Sequence, residues 1–358
     1  MSRRAGHDGE AVGDVVDEQA WPRRRVTLAD VAERAGVSPA LVSIVMREAP
    51  GASPSSRERI LAVAKQLGYR PDVRARSLAS LKAHVIGILF GQAGRFHLEL
   101  IDGLYAAAEE RGWDLVLSAL TASRDEQRAL ASLNDFRFDA LIMLGPPVAE
   151  PLLAGRVPLV VMGWHVDHPD VDVVRTSDEH GLASAVDHLV GLGHRRIAHL
   201  QGGTGLVAIS RRDAYLKAMR SHGLDDEVRV VVCDGEDQLD GQLAARRLLD
   251  ENADLPTGIV AFNDDIAAAA MSVLAQQGID VPGDVSVIGF DDSVIARSPG
   301  IDLTTVQQIP QEMAHLAVDR IIARTSGAEV PDRELVLEPD LRIRSTTGPV
   351  AGRRRSRD

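Results

Sequence analysis

The chain has 358 residues, with Lys+Arg 40 against Asp+Glu 52, a formal net charge of −12, and is 45% hydrophobic and 26% charged. That balance excludes a fibrous or wholly disordered chain and leaves room for two or three folded domains. Cys233 is the single cysteine, which excludes an internal disulfide and a cysteine-based zinc site. No run approaches the ~20 apolar residues of a membrane span.

Residues 1–24 lack the apolar segment of a secretion signal, so a cytoplasmic location is expected. Like residues 349–358, they have the composition of a disordered end. Between Arg23 and Lys82 twelve Lys/Arg face five Asp/Glu, a net of +7, leaving −19 on the rest of a chain of −12. A basic block on an acidic body points to a localised polyanion contact.

The stretch VTLADVAERAGVSPALVSIVM predicts two short helices split by Gly36-Val37-Ser38. Thr27 caps the first, with Asp30 near its positive end. Ser38 caps the second, with Pro39 at its first position. Val42 and Val45 share the face turned to the first helix. Pro39, Ala40, Ser43, Ile44 and Arg47 are left toward solvent or DNA, and an exposed Ile44 suits a thymine methyl in the major groove. Ser53-Pro54 opens a third helix with Ile60, Val63, Ala64 and Leu67 on its core face, ended by Gly68 and Pro71. Residues 25–71 therefore read as a helix-turn-helix DNA-binding domain; a small protein-docking module is the alternative. In the linker 72–82, Arg74 and Arg76 suit phosphate or minor-groove contacts. Leu78 could wedge into a base step. A plain solvated linker is the simpler account.

After Leu81 strand–helix units repeat. The apolar run 85–90 predicts a buried parallel strand. Helix 98–111, strand 114–117, a helix opened by Ser123-Arg124-Asp125-Glu126 as a capping box, and strands 140–144 and 159–162 follow. A second series comprises helix 180–192, strand 197–200, helix 211–222, strand 229–233, helix 241–252, strand 258–262, helix 266–277 and strand 285–289. This alternation predicts the α/β class, with parallel sheets covered on both faces. Two series imply two lobes, the first about 83–178 plus 306–335, the second about 179–305, crossing at 178–181. Helix 311–324 and strand 334–337 are expected to return to the first lobe.

Ligands of open α/β sheets bind at the carboxyl ends of strands. Asn263-Asp264-Asp265, Asp291-Asp292 and, after the Gly202-Gly203-Thr204-Gly205 loop, Arg211-Arg212 fall there. A carboxylate and a guanidinium facing one pocket can clamp vicinal hydroxyls or an anion. Helix capping by Asp264 and Asp291 is the simpler account. Trp164 either stacks on a sugar ring or fills core. Two Asp pairs would serve a glycosidase, but strand-end placement fits binding equally well. The glycine loop lacks the GKS/GKT ending of a nucleotide loop. His180, His188, His194 and His199 are too scattered for a metal site. No enzyme activity, cofactor or metal is expected, and Cys233, beside Val231 and Val232, reads as core.

These segments together resemble the lactose/galactose repressor family (LacI/GalR). The resemblance covers TLADVAERAGVS, the turn Tyr69-Arg70-Pro71, the hinge Ala75-Arg76-Ser77-Leu78 and the terminal LEPDLRIRSTTGP, about residues 26–348. It implies a three-helix headpiece followed by a two-lobe periplasmic-binding-protein-like effector domain at 83–348. It also implies a homodimer on a palindromic double-stranded DNA operator and a small-molecule effector, a carbohydrate or related metabolite. By the same resemblance Pro39, Ala40 and Ile44 read bases, and Leu78 inserts at the operator centre beside Arg76. Thr27, Ser38, Ser43, Arg47, Tyr69 and Arg74 join them in the expected DNA-facing set. Arg211 of Arg211-Arg212-Asp213-Ala214-Tyr215, Asn263 of Phe262-Asn263-Asp264 and Asp291 of Gly289-Phe290-Asp291-Asp292 match the effector contacts. Phe96, Trp164 and Asp264 complete the expected effector set. Met162-Gly163-Trp164 and Thr176-Ser177-Asp178 depart from the family's usual segments, so the pocket is expected to be this chain's own. A free-standing solute-binding protein is the rival; it would need a secretion signal and no headpiece. The terminal segment has no leucine heptad, which favours a dimer over a coiled-coil tetramer.

Overall fold

The computed structural model describes residues 26–46, 49–69, 84–91, 94–121, 123–145, 157–250 and 255–350. Arg47, Arg74, Arg76 and Leu78 lie outside the described residues, as do the expected N-terminal extension and the linker between the two folded units. The chain divides into units at Met1–Leu81 and Lys82–Asp358.

In the first unit, α1 spans Leu28–Ala35, α2 Pro39–Met46 and α3 Pro54–Gln66. Thr27 and Asp30 form a reciprocal capping box: the Thr27 amide donates to Asp30 Oδ2 at 2.7 Å, and the Asp30 amide donates to Thr27 Oγ1 at 3.3 Å. Gly36 ends α1 at φ 64°, a left-handed conformation glycine adopts without steric cost. Ser53 caps α3 through the Ser56 amide, with Pro54 at its first position. The core is small: Val31, Ala32, Ala35, Val42, Val45, Ile60 and Ala64. Ile60→Ala is therefore expected to cost about 3 kcal/mol, a large share of what so small a core supplies. Two-probe denaturation checks this: the headpiece transition moves to lower denaturant while that of the body stays in place.

The second unit holds two six-stranded sheets. Its first-lobe elements are β1 Val85–Phe90, α4 Arg95–Glu110, β2 Asp114–Ala119, α5 Glu126–Asn134, β3 Ala140–Leu144, β4 Leu159–Met162 and β5 Val171–Thr176. Second-lobe elements follow: α6 Asp178–Gly191, β6 Ile197–Gln201, α7 Leu206–Ser221, β7 Arg229–Val232, α8 Gln238–Asp250, β8 Gly258–Ala261, α9 Asp264–Gln276, β9 Ser286–Asp291 and β10 Thr304–Gln307. Then come α10 Pro310–Thr325, β11 Glu334–Leu337 and β12 Asp340–Arg342. The sheet orders are β11-β5-β4-β3-β1-β2 and β12-β10-β9-β8-β6-β7. Every pairing is parallel except β10 with β12. In the first lobe Leu100, Leu104, Met313 and Val318 of α4 and α10 cover one sheet face, and Ala129 and Leu133 of α5 pack on the other. In the second, α8 and α9 cover one face and α6 and α7 the other.

The structure corrects several expectations. Residues 178–181 are not the crossover but the first turn of α6, capped by Ser177 through the His180 amide. The chain passes between sheets three times, at 176–178, 307–310 and 337–340. Strand β10 therefore belongs to the second lobe, although residues 306–335 were all expected in the first. Residues 340–348 return to the second lobe through β12 and the bond from Thr304 N to Thr346 Oγ1 at 2.9 Å. Asp125, not Ser123, caps α5, accepting from the Arg128 amide at 2.9 Å. Strand β5 has no counterpart in the apolar pattern because it carries Asp172. That residue is only 2% exposed and takes a bidentate pair from Arg324 at 2.7 and 2.8 Å, with Arg320 at 3.9 Å.

Candidate DNA-reading and effector sites

In the headpiece, burial of Val42 and Val45 fixes the rotation of α2. Ser38, Pro39 and Ala40 are thereby left exposed at its N-terminal turn, and Thr27 is exposed at the start of α1. Helix N-termini favour anions such as phosphate, and the first residues of a recognition helix are those that reach base edges. Ser43 is half-buried. So is Ile44, contrary to the exposed side chain expected. It lies beside Gly51, where an added Cβ would meet it at 3.8 Å, so only part of it is open to a base. Tyr69 is half-buried against the headpiece core, a packing role beyond the DNA-facing one expected.

In the body, the site grows from Arg211, in the second turn of α7 and 5% exposed. Its Nε donates to Asp178 Oδ1 at 3.0 Å and its Nη1 to the Phe262 carbonyl. The guanidinium lies 3.6 Å from the Phe290 ring centroid and 4.7 Å from that of Phe262. Its Nη2 stands 3.8 Å from Asp291 Oδ1. A planar cation fixed by two rings and two carboxylates is preorganised to present its remaining donors. Asp291 and Asp292 both adopt positive φ, 112° and 54°. That strain is uncommon for non-glycine residues and gathers at ligand sites. Gln308 donates to Asp291 Oδ1 at 2.7 Å and Gln307 to Asp292 Oδ2 at 2.9 Å. Burial pushes the Asp291 carboxyl well above the usual range, with Arg211 pulling the other way.

Asn263, rather than Asp264, caps α9: its Oδ1 accepts from the Ile266 amide at 2.8 Å, while its Nδ2 donates to the Glu236 carbonyl at 2.9 Å. Asp264 was expected to touch the effector. It is 1% exposed, and its oxygens are taken by the Ser293 amide at 2.7 Å and Thr305 Oγ1 at 2.6 Å. It holds the Asp291 loop from beneath. Trp164, 7% exposed, is core of the first lobe, and Val207 of the second lobe packs against that cluster. Phe96 is half-buried on the first-lobe core. Among the described residues, no group of three or more His, Cys, Asp or Glu could hold a metal.

Burial pushes the Asp264 carboxyl up to about 7. A carboxyl raised on folding stabilises below its unfolded value near 4 and loses that contribution as pH rises through about 7. Asp264→Asn removes the titration. Its melting temperature is expected to gain on the native protein as pH rises from 4 to 7. Parallel melting curves of both proteins across that range check it, and a constant difference would contradict it.

Sequence reasoning left four members of the site out of the effector set, although it flagged the segment that holds Asp178. Asp178 holds Arg211. Glu236 follows β7, and strand-end placement could have found it. His97, in the first turn of α4, has its imidazole held below the usual range by burial and by the charge of Arg211. Arg95 Nε donates to Asp265 Oδ1 at 3.2 Å, joining α4 of the first lobe to α9 of the second.

A helix-turn-helix unit carried on one chain with two α/β lobes, the second holding an Arg–Asp cluster, defines a DNA-binding regulator. The comparisons place it more narrowly. The model of bacterial regulatory proteins, lacI family, matches residues 27–72, and that of the periplasmic binding protein-like domain matches 186–347. The ribose operon repressor of Escherichia coli (strain K12) is 32% identical over 332 residues, 89% of this chain and 99% of the repressor. The structure of the lac repressor dimer bound to operator and the anti-inducer ONPF superposes with TM-score 0.79 at 28% identity, covering 91% of this chain and all of that one. A complex of the transcriptional regulator CelR with cellobiose gives TM-score 0.67 at 28% identity, covering 90% and 100%. The chain belongs to the lacI family of bacterial regulatory proteins. Its relatives are DNA-binding transcriptional regulators and repressors, not enzymes, and no helix among the described residues is long and apolar enough to cross a membrane.

Proposed function

We propose that this chain is a cytoplasmic repressor that binds a palindromic operator as a homodimer and is released from or recruited to it by a small carbohydrate held between its lobes. The observation that carries this reading is the pairing, on one chain, of an open α2 N-terminus with the Arg211–Asp291 cluster. Two headpieces match two half-sites of a two-fold operator, as in the lac repressor neighbour, which is a dimer on its operator. Ser38, Pro39 and Ala40 supply base and phosphate contacts, with Ile44 contributing its open edge. Arg76 and Leu78 of the linker enter the minor groove, where the bend they impose is offset by contacts from both headpieces.

Arg211, Asp291 and Asn263 form the effector's polar wall, supported by Asp178 and Asp264. Carbohydrate is favoured because carboxylates beside an arginine bind vicinal hydroxyls bidentately, and because the CelR neighbour holds cellobiose. Gln308 lies on the second crossover and bonds Asp291 directly. A ligand on Asp291 therefore acts one hydrogen bond away from a segment that must move when the lobes change angle. It shifts that equilibrium only by its differential affinity for the two arrangements.

Selection of bound duplexes from a random pool by the full-length protein, with the mass of the recovered complex, tests the reading. A two-fold-symmetric motif carrying two chains per duplex is expected. An asymmetric motif, or one chain per site, would overturn the dimeric operator reading. No enriched motif would favour the solute-binding rival.

A further inference from the structure

We propose that Glu236 sets the charge class of the effector: the cleft takes an uncharged sugar or polyol and turns away its phosphorylated, aldonate and uronate counterparts. This rests on the effector cleft proposed above. Glu236 lies just past β7, held at its carbonyl by Asn263 Nδ2. Its Oε1 is 3.9 Å from where a Cβ on Gly205 would stand, beside the start of α7, whose Gly205 cap supplies no side chain. Crowding by the protein around it raises its carboxyl, with Arg211 opposing and Asp240 adding to the rise, and part of the side chain stays exposed. Among the described residues that carboxylate has no hydrogen-bond or ion-pair partner. It is a free acceptor in the cleft.

The cations there already have partners that balance their charge or keep them neutral. Arg211 is shared between Asp178 and Asp291, Arg95 is paired with Asp265, and Arg212 is paired with Asp213. His97 is held toward its neutral form by burial and by Arg211. A phosphate or carboxylate on the ligand would meet Glu236 and Asp291, while the donors left on Arg211 belong to a cation already balanced by Asp178 and Asp291, and like charges disfavour one another. Sugar hydroxyls instead donate to both carboxylates.

Calorimetric titration of the full-length protein tests this with D-ribose, D-glucose and cellobiose against ribose 5-phosphate, glucose 6-phosphate, gluconate and glucuronate. At least one uncharged sugar is expected to bind at least ~10-fold more tightly than its anionic counterpart, a gap that one unfavourable charge contact readily produces. Glu236→Gln should narrow that ratio, and Glu236→Lys should reverse it. Equal melting temperatures without ligand show that the variants fold. Tighter binding of the anion by the native protein, or an unchanged ratio in Glu236→Gln, overturns the role of Glu236 and leaves the sugar cleft standing. Binding of neither class removes the cleft reading itself, and this inference with it.

Discussion

Arg211→Ala is expected to weaken effector binding at least ~100-fold, because charge-assisted hydrogen bonds contribute roughly 1.5–3 kcal/mol each and 1.4 kcal/mol is a factor of ten. The substitution also strips Asp178 of its partner and removes the cation stacked on Phe290. Asp178 is 5% exposed, so it would be left as an unpaired buried acid, and the second lobe should melt at lower temperature. Arg211→Lys separates the two effects. An ammonium can stay near Asp178, but it cannot also reach the Phe262 carbonyl while lying flat between two rings. It should recover much of the melting temperature and little of the binding. Titration of both variants with the sugar that binds the native protein checks this. Native-like affinity in Arg211→Ala would place the effector elsewhere.

Asp172→Ala should destabilise the first lobe by about 3–5 kcal/mol, the range for removing one partner of a buried ion pair. The carboxylate is 2% exposed and serves Arg324 through both oxygens, with Arg320 beyond. Arg324 is 29% exposed and can recover some hydration, which argues for the lower end. Arg320 is 8% exposed and, among the described residues, keeps only its bond to the Asp332 carbonyl. Since Asp172 joins β5, next to the edge strand β11, to α10, its loss also loosens the first-lobe helix that follows β10 in sequence. Equilibrium denaturation checks the magnitude; a loss below about 1 kcal/mol, the usual worth of an exposed pair, would mean the site is open to water.

The same aspartate explains where the sequence became illegible. The headpiece was readable because its signals are local: Thr27 with Asp30, Gly36, and Ser53-Pro54 each act within one turn. The strand–helix alternation was readable because most strands are continuous apolar runs. Strand β5 hides a charge whose partners lie about 150 residues away, and the short β10 and β12 carry Thr, Gln, Asp and Arg that find their bonds only in the folded sheet. At the proposed effector site the strand-end rule singled out Arg211, Asn263 and Asp291. It could not separate the cap, Asn263, from the buried prop, Asp264, because adjacent residues point in different directions once α9 forms. For Trp164 the sequence left sugar stacking and core packing open; the ring is 7% exposed and packs in the first-lobe core, a burial set by contacts distant in sequence.

The most direct test of a sugar-controlled DNA reader is fluorescence anisotropy of the selected duplex with the full-length protein, titrated at several salt concentrations with and without the bound sugar. Binding should weaken steeply with salt, as counterion release requires, and the sugar should shift the dissociation constant by roughly 5- to 150-fold, the range of ordinary allosteric coupling. A dissociation constant that stays the same at saturating sugar, for a sugar that calorimetry shows to be bound, would contradict the coupling between cleft and headpiece.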